Sequence, residues 1–361
     1  MTALAPWTGG RLGIVMMSAL GDAIHVLPLL DALKTHAPST HITWVLQPGP
    51  AEMVRGHPYV DDAVIFRRDR GLAAYADVRR ELARRPLDVV LNLQVYFKAG
   101  LVTLLARAPV KLGFDVTRAR DANWLFTTHR IPPHAPQHVQ DQYFEFLGAI
   151  GVPHGEPRWH LAPTAEERAR ARALLPTAGG PLVGLVVATS RPGKNWMPER
   201  YAELAGRLSR ELGARCVLLG GATPIERGAA DAMLARTDAA PIDALGSGLR
   251  TMLGLLEACD VVVSSDTGPY HMCVAMNVPA VGLYGYTNPK RVGPYRRFTE
   301  LVIDAYGDPG EDYPVSMDYR TGRMQRIAVD DVLAKVTLAL ERYGGEPWRR
   351  LRARERLTAS G

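Results

Sequence analysis

Short apolar runs alternate with longer amphipathic stretches along nearly the whole chain. In the first part, residues 12–17, 41–46, 64–66, 88–93 and 110–114 read as strands, and 23–35 reads as a helix. A second series places strands at 182–187, 215–219, 261–263 and 280–284, and helices at 198–212, 225–235, 249–258 and 330–343. Parallel strands need a long crossover between them, usually a helix, so this alternation predicts α/β architecture with parallel sheets. Residues 151–163, rich in Pro, Gly and His, break the pattern and read as a linker. The simplest arrangement is two consecutive Rossmann-like domains, 1–160 and 161–330, with their parallel sheets facing across a central cleft. Residues 331–361 then form a C-terminal helical segment packing back on the first domain.

The stretch 262–295, VVSSDTGPYHMCVAMNVPAVGLYGYTNPKRVGPY, is the most informative. An apolar run stops at Ser264 and Ser265, a polar turn of Asp266, Thr267 and Gly268 follows, and 269–276 suits a helix. The first amides of such a helix lack partners within it, and the helix dipole adds partial positive charge. That turn is therefore an anion site suited to phosphate or pyrophosphate. A second apolar strand then leads to a Gly/Thr/Asn/Pro loop carrying Lys290 and Arg291.

Composition narrows the class. With 361 residues, 47% hydrophobic and 22% charged, the chain has the balance of a globular protein with room for two domains. A formal charge of +6 permits acidic partners without establishing them. Nucleic-acid binding shows as a concentrated basic face, whereas the clusters Arg67, Arg68, Arg70 and Arg79, Arg80, Arg84, Arg85 have little aromatic interleaving. No nucleic-acid partner is expected. The three cysteines, Cys216, Cys259 and Cys273, have no C-x-x-C spacing and read as small core residues in a reducing compartment. The apolar run at 12–20 is cut by Gly21 and Asp22 and is too short to span a bilayer. A cytoplasmic location follows, with peripheral contact at the inner face of the cytoplasmic membrane left open. The tail at 348–357 carries five arginines and reads either as an anchor to anionic lipid or as a helix packed on the first domain.

Two loops can carry chemistry. The first, after the first strand, runs Ser18-Ala-Leu-Gly-Asp22. Gly21 permits a tight path, and Asp22 reads either as a helix cap or as a carboxylate at a sheet edge that accepts a proton from a hydroxyl. Both can hold. The second loop, Ala188-Thr-Ser-Arg-Pro-Gly-Lys-Asn-Trp196, offers the hydroxyls of Thr189 and Ser190 and the cation Lys194 to phosphate oxygens. It is not a P-loop, since Ala188 stands where glycine is needed and Asn195 where Ser or Thr is needed. Gly220-Gly221 with Glu226 beyond is a weaker phosphate or ribose candidate. No carboxylate or histidine spacing of metal-ligand type is present, so neither a metal nor another cofactor is expected.

Several segments act together as a signature: S-A-L-G-D-A-I-H-V-L-P at 18–28, L-N-L-Q at 91–94 with Lys98 following, K-L-G-F-D at 111–115, and H-V-Q-D at 138–141. S-R-P-G-K-N-W at 190–196, G-G-A-T-P-I-E-R at 220–227, S-D-T-G-P-Y-H at 265–271 and Y-G-Y-T-N-P-K-R-V-G-P-Y at 284–295 complete it. The chain thereby resembles the ADP-heptose–lipopolysaccharide heptosyltransferases, inverting glycosyltransferases of GT-B fold. The resemblance implies a heptose moved from ADP-heptose to an acidic glycolipid of lipid A–Kdo type. It implies Asp22 as general base and Lys194, with Thr189 and Ser190 beside it, as the neutraliser of the leaving diphosphate. Thr267 and Gly268 would cradle that diphosphate, Asp266 would lie against the donor sugar, and Glu226 would hold the ribose. His271 reads as a donor-site residue or a packed helix histidine. Ser18, Gly21, Lys98, Arg118 and Arg120 are the acceptor-side candidates.

The chain departs from the family pattern at Pro269 and Tyr270, where Leu and Ser are common after D-T-G, and Tyr270 is large enough to change how the donor sugar fits. Met16 and Met17 also replace the basic or polar residue often found before the first loop. Two other classes compete: a nucleotide-sugar epimerase or hydrolase on a similar frame, and a nucleotide-sugar-binding protein without turnover. A pure binder needs no base in its other domain, so Asp22 together with Lys194 favours transfer.

Overall fold

The chain divides into two units, Met1–His160 and Leu161–Gly361, each built on one six-stranded sheet. The computed structural model describes residues 4–176 and 179–344. The first sheet contains β1 (Arg11–Val15), β2 (His41–Leu46), β3 (Asp62–Ile65), β4 (Val89–Asn92), β5 (Val110–Gly113) and β6 (His129–Arg130). The second contains β7 (Leu182–Val186), β8 (Arg215–Leu218), β9 (Ile242–Asp243), β10 (Val261–Ser265), β11 (Ala280–Tyr284) and β12 (Val302–Asp304). Every pairing is parallel. Spatial order is β3-β2-β1-β4-β5-β6 in one and β12-β11-β10-β7-β8-β9 in the other. Counted from its own first strand, the second sheet repeats the first one's order.

That order decides where chemistry can sit. The chain steps outward from β1 to β3, then returns to place β4 on the other side of β1. The loops leaving β1 and β4 therefore part, and ligands bind in the crevice at such a switch point. The equivalent point in the second unit lies beyond β7 and β10. Both loops singled out in the sequence, and the D-T-G turn, fall at these two points.

Burial explains why the strands read so clearly. Every residue of β7 (LVGLV), β10 (VVVSS) and β4 (VVLN) is buried, as expected of parallel strands covered on both faces. The helix Leu20–His36 is buried continuously from Ala23 to Leu30. The helix Pro198–Leu212 instead buries one stripe, Tyr201, Leu204, Ala205 and Leu208, against the second sheet. The three cysteines are free and buried, and burial pushes the Cys216 thiol up to about 12.

Some expectations shift. The helix Val329–Tyr343 buries Val332, Val336 and Ala339 in the same core as Val183 and Leu185. It belongs to the second unit, where its apolar stripe joins the core of the second sheet. The Arg-rich tail lies outside the described residues. The first helix begins at Leu20, so Gly21 is part of a helical turn and does not form a separate tight loop. The edge strands β6 and β9, with two residues each, carry no apolar run that could announce them, and β12, three residues long, has only Val302 and Ile303.

Candidate active site

In the second unit β10 ends at Ser265 and the helix Gly268–Ala275 begins three residues later, with Thr267 as its N-cap. The Tyr270 amide donates to Thr267 Oγ1 at 3.2 Å. Pro269 lacks an N–H and so costs the first turn nothing. The Gly268 amide is left at the positive end of the helix, beside Asp266.

Asp266 is the hub. Lys194 Nζ donates to its Oδ2 at 2.6 Å and to its carbonyl oxygen at 3.1 Å. His271 Nε2 sits 2.9 Å from Oδ1, one helical turn on, where spacing brings it back over the turn. The side chains of Lys194 and Asp266 are only 17% and 11% exposed. Burial alone would raise the Asp266 pKa, but the Lys194 charge and the His271 contact outweigh it and hold the carboxyl well below the usual carboxylate range. The result is a locked ion pair with its cation directed at a helix N-terminus, a setting that suits an anionic leaving group.

The loop presenting Lys194 is tied down from both ends. Asn195 Oδ1 accepts from the Thr189 amide at 2.8 Å. Thr189 Oγ1 donates to the Arg191 carbonyl at 2.9 Å and accepts from the Arg191 amide at 3.0 Å. Its hydroxyl proton is therefore spent inside the loop, and Thr189 shapes the loop where the sequence suggested a phosphate ligand. Ser190 is exposed. Trp196 is buried, with Nε1 donating to the Ile327 carbonyl at 3.0 Å. A Cβ on Gly193 would come within 2.6 Å of the Tyr286 ring, and Tyr286 stacks on Tyr319 with centroids 4.9 Å apart.

Glu226 forms a capping box with Thr223. Its Oε1 accepts from the Gly221 amide at 2.8 Å, and Oε2 from the Thr223 amide and hydroxyl at 3.1 and 2.6 Å. A carboxylate has about four acceptor positions, so one remains. Tyr270 departs from expectation: at 0% exposure it lies against Tyr284 and fills the space above Gly282, where a Cβ would meet its hydroxyl at 2.7 Å. It is a core residue. His271 is likewise buried, with its Nε2 beside Asp266. Lys290 is taken up by Asp312 at 2.7 Å.

In the first unit, Asp22 stands in the first turn of the helix after β1 and is half-buried. Its Oδ2 accepts from the Ala19 amide at 2.9 Å. The capping reading is thus realised on one oxygen, while the other carries no hydrogen bond among the described residues. Gln94, at the end of L-N-L-Q, stitches this loop to the one after β4. Its Oε1 accepts from the Met17 amide at 2.9 Å and its Nε2 donates to the Ser18 carbonyl at 2.6 Å. Sequence reading gave Gln94 no role, although its place at the end of a strand inside a signature segment was the available signal.

The acceptor-side cations separate. Arg118 is a structural clamp. Its Nη1 and Nη2 each reach Glu145 at 2.7 Å, its Nη2 also donates to the Pro132 carbonyl, and its Nε meets Asp115 at 2.5 Å. Each of its nitrogens is thus engaged within the first unit. Lys98 and Arg120 are exposed and form no ion pair among the described residues. Among those residues no group of three or more His, Cys, Asp or Glu is placed to hold a metal ion.

Comparison with known proteins follows the same lines. Residues 75–310 match the family described as Glycosyltransferase family 9 (heptosyltransferase). Lipopolysaccharide core heptosyltransferase OpsX of Haemophilus influenzae is 26% identical over 332 residues, covering 90% of this chain and 95% of its own. Lipopolysaccharide heptosyltransferase 1 of Escherichia coli K12 is 30% identical over 306 residues, covering 79% and 91%. Among solved structures, Escherichia coli heptosyltransferase WaaC with ADP superposes with a TM-score of 0.72 at 26% identity, covering 91% of this chain and all of that one (100%). A glycosyl transferase family 9 structure from Veillonella parvula shares the fold with a TM-score of 0.78 at 23% identity, covering 94% and 99%.

Proposed function

The chain belongs to glycosyltransferase family 9, the heptosyltransferases, and on that footing we propose how its own residues carry out sugar transfer. It is a glycosyltransferase of the lipopolysaccharide core that moves a heptosyl group. The donor is ADP-heptose and the acceptor an acidic glycolipid of lipid A–Kdo type. The unbonded oxygen of Asp22 takes the proton from the acceptor hydroxyl as that oxygen attacks the anomeric carbon. The bond from that carbon to the diphosphate oxygen breaks, ADP leaves with the electron pair, and the configuration inverts. A positioned base of this kind contributes about 10²- to 10⁴-fold.

Charge accumulates on the diphosphate as the bond breaks, so the second unit has to meet it with fixed positive groups. Lys194, the Thr267–Gly268 turn and the Ser190 hydroxyl supply them. Asp266, held by Lys194 and His271, lies against the donor sugar. The remaining acceptor position of Glu226 takes a ribose hydroxyl. On the acceptor side the Ser18–Gly21 backbone lines the approach, and Lys98 and Arg120 are exposed cations of the first unit that meet phosphates. No helix among the described residues is long and apolar enough to cross a membrane, and the protein is read as cytoplasmic, meeting its acceptor peripherally.

The observation that carries this reading is the mostly buried Lys194–Asp266–His271 constellation at a helix N-terminus beyond β10. The test incubates purified protein with ADP-heptose, with and without a lipid A–Kdo acceptor, and reads products by mass. A heptose added to the acceptor is expected. Sugar released or isomerised without acceptor would replace transfer by hydrolysis or epimerisation, and binding without any product would make the protein a non-catalytic binder.

A further inference from the structure

Three of the exposed large apolar side chains lie on segments tied to the Asp22 loop. Tyr96 and Phe97 are 45% and 44% exposed, and Leu125 is 61% exposed. The first two open the helix Phe97–Leu105 after β4, and the third lies in the single turn Asn123–Phe126 after β5. The structure builds these segments into one surface. Asn123, buried, accepts from the Asn92 side chain at 2.9 Å and donates to the Tyr96 carbonyl at 2.7 Å. The Arg120 amide donates to the Val95 carbonyl at 2.8 Å. Phe97 meets Phe126 edge to face at 5.3 Å, and Gly100 lets the Phe126 ring come close: a Cβ there would lie 2.2 Å away.

Cations border this apolar surface. Lys98 follows Phe97, Arg120 precedes the Leu125 turn, and both are exposed without an ion pair among the described residues. Asp121 is the one carboxylate in segments 94–98 and 116–126. Gln94 joins the patch to the Asp22 loop through the Met17 amide and the Ser18 carbonyl. Clustered exposed aromatics and leucine mark an interaction surface. Aromatic rings belong at the headgroup level, and free cations next to apolar side chains suit an anionic bilayer better than a protein groove.

We propose that the Tyr96–Phe97–Leu125 surface, with Lys98 and Arg120, docks the first unit onto an anionic phospholipid surface and so presents the Asp22 loop to a membrane-borne acceptor. The proposal rests on the transfer reading above for the acceptor's location, and on the patch itself for the contact. Tyr96, Phe97 and Leu125 enter the headgroup region while the cations stay with lipid phosphates. Each cation contributes about fivefold in affinity at low salt, and the Leu125 side chain about tenfold.

The full chain is tested for co-sedimentation with phosphatidylglycerol/phosphatidylethanolamine vesicles and with phosphatidylcholine vesicles. The parent is expected to bind the first and lose binding as salt is raised. Leu125→Glu and the milder Leu125→Ser, at a position most of whose surface is already in water, should bind about tenfold less at unchanged thermal midpoint. Transfer to a delipidated Kdo acceptor should match the parent, while transfer to vesicle-embedded acceptor should fall with vesicle binding. A parent that ignores anionic vesicles, or Leu125 variants that bind them as the parent does, would overturn the docking surface. Loss of vesicle binding in the variants, in a protein that transfers sugar to neither acceptor, would support the surface and sink the transfer reading instead.

Discussion

Asp22 and Asp266 occupy related places in two copies of one topology, yet they are held in opposite ways. Asp22 follows the central strand of its sheet, keeps one oxygen on a single backbone amide and is half-buried. Asp266 follows β10, is nearly buried, and has one oxygen on Lys194 and the other next to His271. The first carboxylate keeps one oxygen without a hydrogen bond among the described residues. The second is kept ionised by its partners and cannot take a proton at neutral pH. In the proposed mechanism one fold thus supplies a base in one unit and a fixed electrostatic frame in the other, and the difference comes from which side chains fill the loops after the strands.

The sharpest way to break this contrast is to remove each carboxylate's function separately. Asp22→Ala should lower turnover by about 10²- to 10⁴-fold and cost about 1 kcal/mol of stability, the worth of a helix-end contact. A thermal midpoint far below the parent's would show that Asp22 is mainly structural. Lys194→Ala should lower kcat/KM by about 10²- to 10³-fold, weaken ADP binding, and also destabilise by about 2 kcal/mol, since a nearly buried carboxylate loses its cation. Titration calorimetry with ADP together with urea unfolding reads both; an unchanged pair of values removes Lys194 from the site.

The coupling within the locked pair gives a smaller effect. Lys194→Ala combined with Asp266→Asn should be more stable than the sum of the single changes predicts, by about 1–2 kcal/mol, because the double variant leaves no orphaned charge. Strict additivity would mean the contact contributes nothing. Acid provides the mildest probe. The folded Asp266 pKa is depressed, so its stabilisation is fully present above the ordinary carboxylate range and is lost as pH falls toward the depressed value. The stability gap between parent and Asp266→Asn should stay level from pH 7 down to the carboxylate range, then narrow in acid. A gap that widens in acid would contradict the assigned charge state.

Much of this was legible in the sequence, for identifiable reasons. Parallel strands are buried on both faces, so β7, β10 and β11 stand out as unbroken apolar runs, and the helices Pro198–Leu212 and Leu249–Ala258 were read to their observed ends. The edge strands β6 and β9 were missed because two residues of backbone pairing leave no pattern. Residue type pointed to Asp22, Lys194 and Asp266 as candidates. It did not show that Lys194 and Asp266 bond to each other, because 72 positions separate them. Arg118 looks like any loop arginine until Glu145, 27 positions away, closes on it. The same holds for Tyr270, whose burial depends on the room left by Gly282. Local chemistry is written along the chain; commitment of a group to a distant partner is written only in the fold.

The central claim is that Asp22 performs the proton transfer while the second unit binds the donor independently of it. Replacing Asp22 with asparagine keeps the shape of the side chain and removes its basicity. Turnover of Asp22→Asn with saturating ADP-heptose and acceptor, measured beside its ADP affinity, tests the claim directly. Product formation is predicted to drop at least about a hundredfold with ADP bound as tightly as in the parent, whereas turnover near the parental rate would contradict the assignment.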